Sequence, residues 1–283
     1  MLAGRQSTDL RLKVIRDPDQ WLAAAYRLMK SEFDVAVIDP YPRYVEWLKW
    51  NRQHIHPFPY LLIAAYLQKG ASAHLAGVIS GNIMPVQEYA GPLPSTICRP
   101  FIFAIGHQVT SRLLRQAGWK GVGTRVWQFD VKEAGRRIQR RGGALCYSLL
   151  ESERRSLGFY HRLGYRWPKG VPYWQPPLEF DENGRYLHSE VPETLLLRPM
   201  DEPPGESISR TLLQNIIATV YLNWSLYKYR NILSPPAMRR AEDYVMKVVF
   251  ARICKRMPKQ DQIKLVGFGE GDDDGRPILS RGV

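Results

Sequence analysis

Cysteine is scarce in this chain. There are three, Cys98, Cys146 and Cys254, odd in number and far apart. That pattern excludes a disulfide framework and offers no zinc-ligand spacing, so a reducing cytosol is the default expectation. Long apolar runs are also missing. The nearest approach, TLLQNIIATVYLNWSLY at 211–227, is uncharged but interrupted by Gln214, Asn215, Thr219, Asn223 and Ser225. A membrane span needs ~18 or more apolar residues, so this stretch reads as a helix with a polar face. The opening residues MLAGRQSTDLRLK contain no apolar run of the secretory type, and a cytoplasmic chain is expected. Acidic residues are in deficit: 27 Asp and Glu against 40 Lys and Arg leave a net charge of +13. Such a balance suits a polyanionic partner, whether a phosphorylated cofactor, nucleic acid or an anionic surface.

Hydrophobic residues make up 45% and aromatics 11%, enough for a sizeable core. LRLKVIRD (10–17) alternates like a strand, and Asp19 is placed to cap a helix over DQWLAAAYRLMKSEF. Pro40 and Pro42 precede a second helix, YVEWLKWNRQHI. Three apolar strands follow at 60–68, 73–84 and 101–114, the first two joined as a hairpin by Lys69-Gly70-Ala71-Ser72. TRVWQFDVKEAGRRIQRR reads as an amphipathic helix stopped by Gly142-Gly143. ALCYSLLE (144–151), a short helix ending at Gly164, YRWP, the turn Asp181-Glu182-Asn183-Gly184 and TLLLRPM (194–200) complete the order β-α-α-β-β-β-α-β-α-β-β. That order predicts an α/β or α+β fold on a sheet of mixed direction. Prolines 199, 203 and 204 mark a boundary between residues 1–203 and a helical extension at 204–258. In the extension, Leu213, Ile216, Ile217, Val220, Trp224 and Tyr227 form one apolar stripe, and Ser234-Pro235 starts a second helix. Residues 259–283, rich in glycine and acid towards the end, read as a flexible tail.

The stretch Gly118-Trp119-Lys120-Gly121-Val122-Gly123-Thr124 lies between a predicted strand and a predicted helix. A glycine-rich loop entering a helix presents unpaired N–H groups and roughly half a positive charge to an anion. Glycine lets a diphosphate approach the main chain, and Lys120 and Arg125 add charge. The spacing is neither a Walker loop nor a dinucleotide fingerprint. By itself it is equally a plain turn.

Two motifs change that balance. Gly118-Trp119-Lys120-Gly121-Val122-Gly123 is similar to the acyl-CoA signature Gln/Arg-x-x-Gly-x-Gly/Ala, and Phe159-Tyr160-His161-Arg162-Leu163-Gly164-Tyr165 is similar to a later signature of the same family. Over roughly residues 8–200 the chain resembles the GNAT superfamily of N-acetyltransferases. The resemblance implies a mixed, mostly antiparallel sheet flanked by helices, with strands 101–114 and 144–151 splayed around the pantetheine arm of acetyl-CoA or another acyl-CoA, and no metal. It implies direct transfer of acetyl to a small-molecule or peptide amine in a ternary complex. It assigns the 118–124 loop to the diphosphate, the backbone at Leu113 and Leu114 to the acyl arm, and Glu153 and Ser156 to the helix lining that arm. Tyr160 becomes the general acid. His107 stands where some members carry a base. Departures are Gly118 in place of Gln or Arg, and Glu153 and Ser156 in place of Asn and Ala.

Each assignment has a plainer alternative. Tyr160 could be a core tyrosine, and His107 a strand histidine that only hydrogen-bonds. A carboxylate base would have to come from Glu32, Asp34, Asp39, Glu46 or Glu151, among which the sequence does not choose. Cys146 reads as a small core residue. Trp47, Trp50, Trp167, Tyr173, Trp174, Phe180 and Tyr186 could line an apolar acceptor site or fill the core. The arginines 136, 137, 140 and 141 read as a solvated helix face. A second reading of the whole chain is a catalytically weak or inactive module of the same fold, using its basic surface for nucleic acid or a protein partner. The 205–257 stripe could dimerise two chains or cover the sheet.

Overall fold

The computed structural model describes residues 10–33, 38–53, 58–69, 72–93, 99–152, 156–177, 179–188, 190–200 and 205–267. The chain packs as two units, Met1–Ile83 with Ile105–Arg141, and Met84–Ala104 with Gly142–Val283. The expected mixed α/β class is what forms. A seven-stranded sheet has the order β1-β2-β3-β4-β5-β8-β7, and a second, three-stranded sheet has the order β6-β10-β9. The pairings β1–β2, β2–β3, β5–β8 and β7–β8 are all antiparallel. Here β1 is Leu10–Val14, β2 Tyr60–Lys69, β3 Ser72–Pro85, β4 Pro100–Thr110, β5 Ala144–Ser152, β6 Trp167–Pro168, β7 Tyr173–Gln175, β8 Val191–Pro199, β9 Ser207–Ser209 and β10 Gln262–Val266.

The first unit is built on β1–β3 and the C-terminal half of β4. β2 and β3 pair antiparallel from Tyr60↔Asn82 to Lys69↔Ser72, with a register shift between Ala65 and Tyr66, so the predicted hairpin forms. Helix α1 (Gln20–Glu32) starts where Asp19 accepts from the N–H groups of Trp21 (2.9 Å) and Leu22 (3.2 Å). Such a cap contributes about 1 kcal/mol. Leu22, Ala25 and Met29 are one face of that helix, and they pack with Tyr44 and Leu48 of α2 (Tyr41–Gln53) against Tyr60, Leu62, Ala64 and Val78. Trp47 joins this core at its edge, ring to ring with Tyr44 and Tyr60.

Strand β4 is shorter than its apolar run suggested. It ends at Thr110, and Arg112–Gln116 form a short helix, α3, so Leu113 and Leu114 are not strand residues. Leu, Arg and Gln are good helix formers, and Gly118 supplies the stop. After it comes α4, Val122–Gln139.

In the second unit β5 and β8 pair from Tyr147↔Pro199 to Ser152↔Thr194. Helix α5 (Leu157–Arg162) ends at Gly164, and α6 (Arg210–Val220) is capped by the Ser209 hydroxyl accepting from Leu212 N–H (3.2 Å). A π turn, Tyr221–Ser225, extends α6. Then α7 (Pro235–Tyr244), capped as predicted by Ser234, runs through a π segment, Val245–Phe250, into α8 (Ala251–Arg256).

Of the predicted stripe, Leu213, Ile216, Ile217 and Val220 are fully buried within the chain, and Trp224 and Tyr227 are half-buried. Two expectations change here. Asn215 and Thr219 do not make a solvent-facing polar side: both are buried, Asn215 bonding Ala90 N–H (2.7 Å) and the Gly91 carbonyl (2.9 Å), Thr219 accepting from Gln87 N–H (3.2 Å). Residues Gln262–Val266, expected in the flexible tail, form β10 and pair with β6 and β9. The tail from residue 268 on lies outside the described residues.

Candidate functional site

The glycine loop is assembled between two helix ends. At the close of α3 the Ala117 N–H bonds the Leu113 carbonyl (2.9 Å), the Gly118 N–H bonds the Arg115 carbonyl (3.1 Å) and the Trp119 N–H reaches back to the Leu114 carbonyl (3.0 Å). With Gly118 at φ +81 this is a Schellman stop. The position where the resemblance expects a Gln or Arg therefore has a local task of its own: only a residue at ease with positive φ closes the helix. Gly121 (φ +78) then opens α4, and no side chain caps that end. The first bond of the helix is Arg125 N–H to the Gly121 carbonyl, 3.0 Å, so the Val122, Gly123 and Thr124 N–H groups precede it.

Open space surrounds both glycines. A Cβ placed on Gly118 or on Gly121 would meet nothing within 4 Å. Lys120 is exposed, Trp119, Gly123 and Thr124 are half-buried, and Val122 is buried. Gln108 of β4 pins the first turn of α4 through its Nε2 to the Gly123 carbonyl, 2.9 Å. Arg115 is directed away from the loop, onto Glu32 (3.0 Å) and the Thr110 hydroxyl (3.3 Å). Leu113 is 76% exposed and its carbonyl accepts from Ala117 N–H within α3, so the backbone expected to run extended along the acyl arm at Leu113 and Leu114 is helical instead. The arginine cluster does sit on the solvent side of α4, with Arg136 and Arg137 paired to Glu133 at 3.7 and 3.0 Å.

His107 is half-buried on β4, edge to face with Phe33 (5.3 Å between centroids), its Nδ1 3.5 Å from the Ser80 hydroxyl. On α4, Asp130 is fully buried, and both its carboxyl oxygens lack a hydrogen-bond partner among the described residues. Burial raises its pKa well above the carboxylate range, with Arg137 lowering it and Glu133 raising it in smaller measure. No periodicity or motif flags this residue, because an aspartate on the inner face of a helix breaks the amphipathic pattern instead of following it.

The second unit carries the other set. Tyr160 lies on α5, buried, its ring against Phe159 (5.1 Å) and Tyr165 (5.7 Å). The Tyr165 N–H bonds the Tyr160 carbonyl (3.1 Å) and Gly164 takes φ +85, so the aromatic-glycine-aromatic motif is a second Schellman stop. Burial pushes the Tyr160 phenol above its ordinary range, which keeps it protonated. Ser156 precedes α5 without a side-chain cap, and Glu153 lies outside the described residues.

Among the carboxylates that the sequence left open, the structure separates one. Glu32 is paired with Arg115, Glu46 with Arg43 (2.7 Å), and Asp39 is half-buried beside Tyr44. Asp34 lies outside the described residues. Glu151, near the end of β5, is half-buried and held by neutral donors: the Tyr173 hydroxyl on Oε1 and Gln175 Nε2 on Oε2 (2.6 Å). Desolvation pushes its pKa up to about 7, against the lowering effect of those two hydrogen bonds, and Glu193 raises it further. A carboxylate titrating near neutrality can take up and release a proton under physiological conditions.

The aromatics of the insert before β8 are packed, except that Tyr186 keeps an exposed face. Trp174 is buried with the guanidinium groups of Arg252 and Arg256 each 5.4 Å from its ring centre. Phe180 meets Tyr229 edge-on (5.3 Å), Tyr186 stacks on Tyr244 (4.3 Å), and Trp167 is buried in β6. Cys146 is buried in β5, as a core residue should be. Among the described residues no helix is long and apolar enough to cross a membrane and no His, Cys, Asp and Glu group could hold a metal ion.

No protein-family model matches the chain, and no curated protein sequence matches it. Solved structures do. One is Arabidopsis thaliana NAA60 in complex with acetyl-CoA, 12% identical, covering 68% of this chain and 98% of that one at a TM-score of 0.44. Another is a protein from Bacteroides thetaiotaomicron described as a GNAT-family acetyltransferase, 16% identical, covering 75% and 98% at 0.44. A third is the Salmonella typhimurium acetyltransferase that modifies the N-terminal serine of ribosomal protein L7/L12, 14% identical, covering 69% and 97% at 0.40. In structure this chain is similar to GNAT-family acetyltransferases, at TM-scores below 0.5, and the chemistry of its site rests on its own residues.

Proposed function

We propose that the chain is an acyl-CoA-dependent N-acyltransferase, most simply one that moves an acetyl group onto an amine. The observation that carries this reading is the loop Gly118–Thr124: two positive-φ glycines in open space, at the uncapped start of an eighteen-residue helix. N–H groups ahead of the first helical bond, the helix dipole and Lys120 make that end fit a diphosphate. The glycines fit it too, because the space beside each is open and glycine lets an anion approach the main chain.

Bound there, acyl-CoA supplies an acyl thioester already activated toward an amine. The chain's own residues handle the protons. Glu151 accepts one at a carboxylate oxygen from the acceptor's ammonium: the N–H bond breaks, the carboxyl O–H forms, and nitrogen keeps the electron pair for attack. Its pKa of about 7 suits that exchange at neutral pH. Tyr160, protonated until then, gives its phenolic proton to the leaving thiolate: the phenol O–H bond breaks, the S–H bond of CoA forms, and the phenolate is reprotonated from solvent. His107, bound to Ser80 and packed on Phe33, is in this reading a structural residue of β4.

Calorimetric titration of the full chain with acetyl-CoA and desulfo-CoA, at two salt concentrations, tests the proposal. Binding in the micromolar range is expected, with loss in Gly121→Glu, which puts bulk and a negative charge into the cradle. Folded wild-type protein that binds neither ligand would remove the acyltransferase reading.

A further inference from the structure

Glu151 is held by a chain of side chains that begins in the C-terminal helices. Its two donors, Tyr173 and Gln175, both come from β7, a strand of three residues. β7 pairs with β8 through Tyr173↔Glu193, Trp174↔Pro192 and Gln175↔Val191, and Pro192 offers no N–H to that ladder. So short a strand holds its side chains weakly by pairing alone. A further support is Tyr221. The Tyr221 hydroxyl donates to the Trp174 carbonyl, its ring lies 5.9 Å from the Tyr173 ring at 51°, and the two hydroxyls interact.

Tyr221 is fully buried and is the first residue of the π turn, closed by Leu226 N–H on the Tyr221 carbonyl at 3.1 Å. A π turn sacrifices regular helix geometry and is commonly found where one side chain must be aimed. The second π segment, Val245–Phe250, supplies Phe250, whose ring meets that of Tyr221 edge-on at 6.5 Å. Arg252 and Arg256 hold Trp174 from the same helices.

We propose that Tyr221 is a positioning residue for Glu151, so that the helices after residue 205 set the orientation and proton affinity of the acid–base carboxylate. They do so by fixing β7, and through it the donors on both carboxylate oxygens. This rests on the proton-accepting role given to Glu151 above, although the positioning itself does not depend on acyl transfer. The ionisable groups facing Glu151 are Tyr173 on β7, Glu193 on β8 and Tyr221; Glu190 and Cys254 act on Tyr221 in turn. A hydrogen bond to the carboxylate favours its charged form, so a loosened Tyr173 lets the Glu151 midpoint climb.

The test is a carbon NMR titration of the full chain carrying carboxyl-labelled glutamate, with the Glu151 signal assigned by its loss in Glu151→Gln. Tyr173→Phe is expected to raise the Glu151 midpoint by about one pH unit, and Tyr221→Phe by about half of that, in protein whose circular dichroism matches wild type. A midpoint unmoved by Tyr221→Phe, or by Tyr173→Phe, overturns the proposal. If Tyr221→Phe does not fold, Phe250→Leu decides: it removes only the ring that braces Tyr221, and an unchanged midpoint there overturns the proposal equally. Acetyl-CoA calorimetry on the same wild-type sample separates the two claims. Failure to bind would remove the acyltransferase reading and leave the titration result standing.

Discussion

The Tyr173 hydroxyl donates to the Glu151 carboxylate across an intervening strand: Glu151 lies on β5, Tyr173 on β7, and β8 runs between them with Leu195 opposite Glu151 and Glu193 opposite Tyr173. The bond ties a half-buried acid to an insert that the sequence shows only as prolines and aromatics. It also makes the acid visible in stability measurements.

Unfolded, Glu151 ionises near 4.5; folded, at about 7. Its raised pKa means that the folded chain prefers the protonated form. The associated stability is complete below about pH 4.5 and is lost as pH rises to about 7. Allowing for partial exposure, the loss is about 2 kcal/mol. Asp130, raised in the same direction, adds to it. Urea unfolding near pH 5 and near pH 8 should show the fall in wild type and a flatter dependence in Glu151→Gln, with Asp130→Asn flattening a separate part. An unchanged slope in Glu151→Gln would mean that its carboxyl titrates normally.

Tyr160→Phe should lower kcat by about a hundredfold with the best amine acceptor, the usual scale for loss of a positioned acid. Acyl-CoA affinity should stay at the wild-type value, since only a buried hydroxyl is removed. A kcat equal to wild type would reduce Tyr160 to a core aromatic.

Asn215→Ala removes the side chain that holds the Ala90 N–H and the Gly91 carbonyl, two groups that solvent then reaches in part. Losing the two bonds costs about 1–2 kcal/mol. Thermal melting is the check, and a melting temperature within a degree or so of wild type would contradict the two bonds.

Gly184 takes φ +76, and a Cβ there would come within 1.9 Å of the Ala237 carbonyl oxygen at the start of α7. The turn is also held by Arg240 Nε on the Asn183 carbonyl, 2.6 Å. Gly184→Ala should destabilise by at least about 2 kcal/mol, read by urea unfolding. Asp181→Ala, which removes a side chain accepting from the Asn183 and Arg185 N–H groups, should cost about 1 kcal/mol.

Much of this protein was decided within a few residues of chain. The caps at Asp19, Ser209 and Ser234 and the turn over 181–184 each pair a side chain with a backbone group two to four residues away, and the 69–72 hairpin joins adjacent strands. The glycine stretch declared itself for the same reason, since positive φ is a local demand. What sequence could not carry is anything set by strand register or by covering. Leu113 belonged to an apolar run that looked like strand until Gly118 closed a helix over it. Asn215 and Thr219 looked like a wet face until the 86–91 segment lay against them. Glu151 was one of several open carboxylates. It became distinct only when β8 brought Tyr173 and Gln175 alongside and a π turn some seventy residues further along the chain held them there. Capping and turn geometry depend on neighbours in sequence. The proton affinity of a buried carboxyl depends on neighbours in space, and those exist only in the folded chain.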